Sequence, residues 1–279
     1  MWPLLQIELF KIFKRSRTYI SFAAIGAIVA LILLAFYADG SNYMAFGMQS
    51  LTQSFDIQGN VLNGYLICFI VLQTLLIHVP LLIALVAGDQ IAGEANMGTL
   101  RLLITKPVSR TRLLLAKFTA SVIYTILLLI WMAFLALLVS VWIFGTGDLM
   151  ILKSTEVVIL EKADVLWRYF AAFGFAAIAM TTVPALAFFF SVFAENSIGP
   201  IVTTMSVIIV CTILSTMDIP IFNTIKPFLF TTHMIGWKGF FDAPVAWQPV
   251  LQSAGILVLH IVGLLLATIF VFRKKDILS

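Results

Sequence analysis

Long apolar runs separated by short polar segments dominate the sequence and most constrain its fold. Runs of 18 or more apolar residues are typical of helices that cross a bilayer, and we count six of them in the 279 residues. Only 11% of the residues are charged, whereas soluble domains have roughly 25%. The composition therefore excludes a water-soluble fold. The six predicted spans are approximately 18–38, 63–87, 118–144, 167–193, 198–217 and 250–272.

The connections between the predicted spans are short, and none could hold a soluble domain of ordinary size. We therefore predict an all-α fold with a single transmembrane domain over residues 1–279. The first run is longer than the roughly 7–15 apolar residues of a secretory signal, so we expect it to be a retained span. Cys68 and Cys211 lie in predicted spans, and their spacing indicates neither a disulfide nor a metal site.

The basic residues divide unequally between the two sides of the predicted bundle. If the N-terminus is cytoplasmic, that side holds twelve basic and five acidic residues, and the other side holds five basic and eight acidic ones. Basic residues concentrate on the cytoplasmic side of membrane proteins, so both termini are predicted to be cytoplasmic. Anionic lipid headgroups account for the net charge of +4, and no nucleic-acid partner is needed.

Residues 3–17 before the first span are amphipathic at the helical period, with Glu8, Lys11 and Arg15 on the polar face. A helix of this kind lies in the headgroup region with its basic residues toward lipid phosphates and cytoplasm. Two interpretations remain open at this point. The helix is either a surface anchor or a mechanical element that moves the first span.

Two predicted outer segments carry recognisable patterns. The charges of residues 145–166 suit a short surface helix leading into the fourth span. Residues 218–249 are aromatic and interrupted by prolines, which suits an interfacial loop or a re-entrant element packed against protein. A lid over a substrate is the alternative for this second segment.

Ionisable residues inside the predicted spans are few. His78 and His260 are both predicted to bond a neighbouring backbone carbonyl, and no carboxylate lies in any span interior. Carriers coupled to protons or sodium usually need ionisable groups or broken helices near the midplane. An ion-coupled carrier therefore remains only an alternative, as does a membrane-embedded enzyme or non-transporting assembly factor.

One cytoplasmic loop, residues 93–117, is too patterned to be a simple connection, and we call it the polar segment. Its apolar residues from Gly93 onward recur at the helical period, which predicts a short amphipathic helix over about 93–106. Pro107 disfavours helical geometry at Lys106 and ends this helix. Ser109 is then placed to cap the helix that becomes the third span. The sequence thus predicts a rigid elbow of helix, proline turn and capped helix.

The polar segment and the residue after it read GEANMGTLRLLITKPVSRTRLLLAKF. This pattern resembles the signature of type-2 ABC transporter permeases, which has a Glu, a Gly-Thr pair, a short apolar run, Pro-Val-Ser-Arg and a Lys before the next span. The residues that match are Glu94, Gly98, Thr99, Pro107, Ser109, Arg110 and Lys117. The predicted spans, the N-terminal helix and the basic C-terminal RKKD resemble the same family. The likeness is greatest to permeases of nitrous-oxide reductase maturation, gliding motility and peptide-antibiotic export.

The resemblance implies that the polar segment is a coupling helix seated on a separate ATP-binding subunit. It also implies two permease copies, alike or different, and two ATPase subunits in a bacterial inner membrane. Glu94 and Arg101 are then expected to contact the ATPase, while Gly98 and Thr99 permit its close approach. The sequence itself contains no G-x-x-x-x-G-K-[ST] phosphate loop, so ATP and Mg²⁺ are expected in the partner, and the chain is not expected to be an enzyme.

Overall fold

The computed structural model of the protein describes residues 2–47, 49, 61–99, 108–153 and 156–275. Its α-helices are α1 (Trp2–Lys14), α2 (Ser16–Gly47), α3 (Gly64–Ala87), α4 (Asp89–Asn96), α5 (Arg110–Ala133), α6 (Ser140–Phe144), α7 (Lys162–Phe193), α8 (Ile198–Thr216), α9 (Pro220–Asn223), α10 (Phe230–Met234) and α11 (Trp247–Lys274). A π-helical segment, Phe134–Val139, joins α5 to α6, and two 3₁₀ helices are Lys226–Phe228 and Ile235–Phe241. The strands are β1 (Leu149–Leu152) and β2 (Val157–Leu160).

Five helical stretches of the described chain are long and apolar enough to cross a membrane. They are Ser16–Phe46, Arg110–Phe144, Lys162–Phe193, Ile198–Thr216 and Trp247–Lys274. Each contains most of one predicted span, so the all-α membrane-type fold is confirmed. The remaining predicted span, 63–87, coincides with α3, but the stretch from Gly64 to Asn96 bends by 51° between Leu75 and His78. Pro80 explains the bend, because it cannot donate a backbone hydrogen bond to residue 76.

Helix α7 is the centre of the bundle and packs against α3, α5, α8 and α11. Large apolar side chains such as Tyr169, Val183 and Phe188 are fully buried along its length. A helix that is apolar on all sides is expected in the core rather than at an edge. By contrast, α2, α8 and α11 each leave much of their apolar surface exposed, which suits contact with lipid.

The two ends of the bundle hold the charges that the sequence assigned to opposite sides. At one end, Arg110 at the start of α5 donates a 2.6 Å hydrogen bond to the carbonyl oxygen of Lys275 after α11. At the other end, Arg168 of α7 donates a 2.7 Å hydrogen bond to the carbonyl oxygen of Asp242, whose carboxylate lies 2.7 Å from Nζ of Lys153. Residues predicted to be cytoplasmic therefore meet one another, and so do residues predicted to lie outside.

A β-hairpin replaces the surface helix predicted within residues 145–166. Strands β1 and β2 are antiparallel, with Leu149 opposite Leu160 and Leu152 opposite Val157. Burial alternates along both strands, as the period of two in a strand requires. The prediction was wrong because it followed the charges of the segment and overlooked its two short apolar runs, of which the second is mostly β-branched.

The aromatic segment 218–249 packs several of its aromatic side chains against the helices, which agrees with an element packed against protein. Trp237, Phe240 and Phe241 are buried. The ring of Phe69 in α3 lies 5.6 Å from that of Trp237 and 5.2 Å from that of Phe241, both edge to face. These geometries are favourable for aromatic pairs. The segment therefore caps α3 and α7 at the end of the bundle that holds Asp242.

The helix predicted over 93–106 differs from the structure in its described part. Helix α4 begins earlier, at Asp89, and ends at Asn96. Gly98 has φ of +69°, a left-handed conformation that ends helices and that glycine adopts without strain. Thr99 is again helical, and the rest of the predicted helix, 100–106, lies outside the described residues.

Candidate functional site

Four charged side chains from three helices meet at the end of the bundle that holds the polar segment. Glu8 and Lys11 belong to α1, Glu94 to α4 and Lys117 to α5. Nζ of Lys117 lies 2.8 Å from Oε2 of Glu8 and 2.7 Å from Oε1 of Glu94. Nζ of Lys11 lies 2.8 Å from Oε1 of Glu8 and 2.8 Å from Oε1 of Glu94. We call these four residues the ion cluster, and it ties α1, α4 and α5 together.

The ion cluster is buried, which makes its pairing energetically important. Glu8 is 0% exposed, Lys117 1% and Glu94 4%. The two carboxylates and the two ammonium groups balance in formal charge, so no net charge is taken out of water. Removing one member of a buried pair leaves an uncompensated charge, which typically costs about 3–5 kcal/mol. The second oxygen of Glu94, Oε2, is buried without a hydrogen-bond partner among the described residues.

Lys11 is the one member of the ion cluster that reaches water, with its side chain about one-third exposed. Burial by itself would lower the pKa of Lys11, but hydrogen bonds to Glu8 and Glu94 and the charges of both carboxylates raise this pKa above its ordinary value. Glu8 and Lys11 are three residues apart, so they lie on the same face of α1. The ammonium of Lys11 therefore stays protonated throughout the physiological pH range.

A second set of ion pairs fixes the junction between α1 and α2. Asp89, the first residue of α4, is buried, and its carboxylate pairs with the guanidinium groups of Arg15 and Arg17. Nη1 of Arg17 lies 3.2 Å from Oδ1 of Asp89. A carboxylate is also favoured at a helix N-terminus by the helix dipole. The start of α4 is therefore held to the break between α1 and α2 through Arg15 and to the first turn of α2 through Arg17.

Ser191 connects the same region to the central helix α7. Its buried hydroxyl donates a 2.9 Å hydrogen bond to the carbonyl oxygen of Gly88 and accepts a 2.9 Å hydrogen bond from the amide of Ala92. Gly88 is the residue between α3 and α4, so the side chain of Ser191 bonds both this junction and the first turn of α4. Helix α4 is thereby fixed to α1, α5 and α7 at once.

The other residues of the predicted elbow have local roles where they are described. Thr99 Oγ1 donates to the carbonyl oxygen of Glu94 at 3.3 Å. Ser109 caps α5, because its hydroxyl accepts a 3.3 Å hydrogen bond from the amide of Arg112, as predicted. Arg110 donates to the carbonyl oxygen of Lys275. Arg101 and Pro107 lie outside the described residues, so their predicted roles remain predictions.

The exposed surface of the polar segment does not include the side chain that was predicted to contact a partner. Glu94, the predicted contact for an ATPase, is buried in the ion cluster. The exposed residues just after it are Asn96, Met97, Gly98 and Thr99, and Met97 is 57% exposed. Gly98 has no atom within 4 Å of the position that a Cβ would take. Any partner docked at this point would therefore meet residues 96–99 and not the carboxylate of Glu94.

The contacts of the ion cluster connect three helices mechanically. Within the described ranges, no group of three or more His, Cys, Asp or Glu side chains could hold a metal ion. Nδ1 of His78 lies 2.9 Å from the carbonyl oxygen of Thr74, and Nδ1 of His260 lies 2.8 Å from that of Ile256. Both histidines thus bond the preceding turn of their own helix, as the sequence predicted.

Sequence reasoning missed Glu8, Lys11, Asp89 and Ser191 as parts of this site. The amphipathic pattern placed Glu8 and Lys11 toward lipid headgroups, whereas the structure turns both toward α5. A signal was available in Glu8, the one acidic residue among the basic ones of residues 3–17. Asp89 and Ser191 gave no such signal, because their partners are distant in the sequence.

Comparison with known proteins identifies a family and no function. No curated protein matches the chain. Residues 25–278 match the family described as "Protein of unknown function (DUF2705)". This match includes every helix from within α2 to α11 and therefore both α4 and Lys117 of the ion cluster. Since the match covers most of the sequence, the protein belongs to the DUF2705 family.

Proposed function

We propose that the protein is the membrane-spanning permease subunit of an ATP-driven ABC exporter. The likeness of residues 93–118 to type-2 ABC permeases motivates this proposal. The observation that carries it is the ion cluster, which joins the short helix α4 to α1 and to the membrane helix α5 through buried charges. A cytoplasmic segment can transmit a movement to the membrane spans only if it is rigidly connected to them. The ion cluster is such a connection.

The proposed mechanism is mechanical. ATP and Mg²⁺ bind to a separate ATPase subunit, which docks on the exposed residues 96–99 and on the neighbouring part of the polar segment. When the ATPase dimer closes, α4 moves with α1 and α5 because the ion cluster holds the three helices together. Ser191 passes the same displacement to α7. The ATPase shifts the membrane domain between two conformations only if it binds one of them more tightly.

The proposed membrane arrangement has six spans, with the bent helix α3 as the sixth beside the five other candidate spans. Both termini and the ion cluster then lie on the cytoplasmic side of a bacterial inner membrane. A second permease copy completes the transporter. The exposed apolar faces of α2, α8 and α11 leave room for both lipid and this second copy.

The rival functions have less support in the arrangement of ionisable groups. A carrier coupled to protons or sodium would need titratable groups at membrane depth, and His78 and His260 are both bonded to carbonyls of their own helices. A membrane-embedded enzyme would need convergent catalytic groups. The carboxylates and ammonium groups of the ion cluster are instead paired with one another.

Co-purification from native membranes in mild detergent tests the proposal. An ATPase subunit is expected to remain bound to the wild-type chain and to be lost from Met97→Asp, which puts a charge on the proposed docking surface. Met217 at the end of α8 provides the matched control, since it is 41% exposed at the opposite end of the bundle. Met217→Asp should retain the ATPase. A wild-type chain that purifies without an ATPase and transports without ATP would refute the proposal.

A further inference from the structure

A surface cleft lies between the end of α7 and the end of α11. Its volume is about 410 Å³. The residues that line it combine apolar side chains with two lysines, namely Val192, Phe193, Phe270, Val271, Lys274 and Lys275. Phe193 and Phe270 are exposed large apolar side chains. We call this feature the C-terminal cleft, and it lies at the same end of the bundle as the ion cluster.

Lys274 and Lys275 line the C-terminal cleft, and two further basic residues, Arg273 and Arg110 of α5, lie beside them in the chain or in space. Nζ of Lys274 lies 4.2 Å from the ring centroid of Phe270, and Nζ of Lys275 donates a 2.6 Å hydrogen bond to the carbonyl oxygen of Val192. Arg110 bonds the carbonyl oxygens of Arg273 and Lys275. Within the part of the chain that is described, none of these four cations lies within ion-pair distance of a carboxylate.

We propose that the C-terminal cleft binds one anionic phospholipid. Its phosphate lies against Lys274 and Lys275, and an acyl chain lies along Phe193 and Phe270. The two kinds of lining residue match the two parts of this ligand. Basic pockets between membrane helices on the cytoplasmic side are known to suit anionic headgroups.

A soluble anion or an acidic peptide fits the C-terminal cleft less well. Helices α7 and α11 are both candidate membrane spans, so the aromatic wall of the cleft opens to the bilayer. A soluble anion would satisfy the lysines and leave that wall unused. A phospholipid covers both without leaving the membrane. Its phosphate would also provide a counter-charge, which no described carboxylate supplies to these four cations.

Lys14 provides a matched comparison that separates a built site from general attraction to a charged surface. It lies on α1, also one turn after an aromatic residue, with Nζ 5.7 Å from the ring centroid of Phe10. Lys14 is exposed and does not line the C-terminal cleft. If anionic lipid were attracted only by the basic surface, Lys14 and Lys274 would contribute equally.

Native mass spectrometry of the full chain in detergent tests the proposal with two lipids of identical acyl chains, phosphatidylglycerol and phosphatidylcholine. The wild-type chain should retain the first phosphatidylglycerol more tightly than the first phosphatidylcholine. Lys274→Gln should weaken binding of that first phosphatidylglycerol about fivefold, the contribution expected of one basic residue beside an anionic lipid. Lys14→Gln should weaken it less than about twofold.

Two further variants keep the test decisive if Lys274→Gln folds poorly. Lys274→Arg keeps the charge and should retain the preference for phosphatidylglycerol. Phe193→Ala keeps all lysines and should weaken retention of both lipids. Glycerol phosphate, which has no acyl chain, should not compete at equal concentration. Equal losses in Lys14→Gln and Lys274→Gln, or competition by glycerol phosphate, would overturn the proposal. The readout needs no ATPase, so it does not depend on the proposed transport function.

Discussion

The ammonium of Lys117 lies 2.8 Å from the carboxylate of Glu8, a residue 109 positions earlier in the chain. Both side chains are buried, and the same ammonium also pairs with Glu94. This contact holds α1 against the first turns of helix α5. It therefore gives the N-terminal helix a structural role that a helix resting on the lipid surface would not have.

Removing the carboxylate of Glu8 should strongly destabilise the protein. In Glu8→Ala, Lys117 and Lys11 share the one remaining carboxylate, so a buried positive charge is left uncompensated. We expect a loss of about 3–5 kcal/mol in the free energy of unfolding, measured by denaturation in detergent. Glu156→Ala is the control, because its pair with Lys153 is exposed at the opposite end and should contribute less than about 1 kcal/mol. Similar losses in both variants would contradict the proposed importance of burial.

Glu94→Gln should separate docking of an ATPase from transmission of its movement. The variant keeps the shape of Glu94 and removes the charge that both lysines share, while the exposed residues 96–99 stay unchanged. We expect the ATPase subunit to co-purify as with the wild-type chain and substrate-stimulated ATPase activity to fall. Loss of co-purification in Glu94→Gln would instead mean that this carboxylate acts in docking itself.

Ser191→Ala should loosen the connection between α4 and α7. The substitution leaves the carbonyl of Gly88 and the amide of Ala92 without their buried partner, which typically costs about 1–3 kcal/mol. Thermal unfolding in detergent measures the loss. Thr203→Ala is the control, because Thr203 makes only an exposed bond to the carbonyl oxygen of Gly199 in its own helix. That variant should stay within about 0.5 kcal/mol of the wild type.

The contribution of Lys11 to stability should be constant across the physiological pH range. The pKa of Lys11 is raised in the folded state, so its stabilising effect is complete below the ordinary lysine pKa of 10.5 and is lost as the pH rises through the folded-state value. The difference in unfolding free energy between wild type and Lys11→Met should therefore be equal at about pH 6 and about pH 9 and shrink only in more alkaline solution. A difference that changes between those two pH values would show that another group controls the ion cluster.

The parts of the fold that were predicted correctly depend on local sequence. Five of the six predicted spans follow from the length of apolar runs, and the cap at Ser109 follows from a hydroxyl one residue before a helix. The hairpin β1–β2 was missed because its strands are short, wholly apolar runs, which do not stand out in a sequence that is 62% hydrophobic. The early end of α4 depends on the conformation of Gly98, which a helical pattern of apolar residues does not reveal.

The candidate site was predicted as a segment and not as a set of contacts. Glu94, Ser109 and Lys117 were identified from their spacing, but the burial of Glu94 and Lys117 was not. Their partners Glu8 and Lys11 are 83 to 109 residues away, and a single sequence contains no information on which distant charges meet. A charged residue considered alone is expected to be exposed to water. The folded chain shows that the four charges of the ion cluster are instead paired with one another.

The contact between Glu8 and Lys117 also has a consequence for biogenesis. While the chain is being synthesised, Glu8 emerges long before its partner, so the first span must insert with this carboxylate still in water. The contact can form only after Lys117 has left the ribosome. We expect α1 to stay accessible to proteases in nascent chains that stop before residue 117 and to become protected once the third span is in place. Formation of the contact would thus coincide with completed insertion of the N-terminal half of the chain.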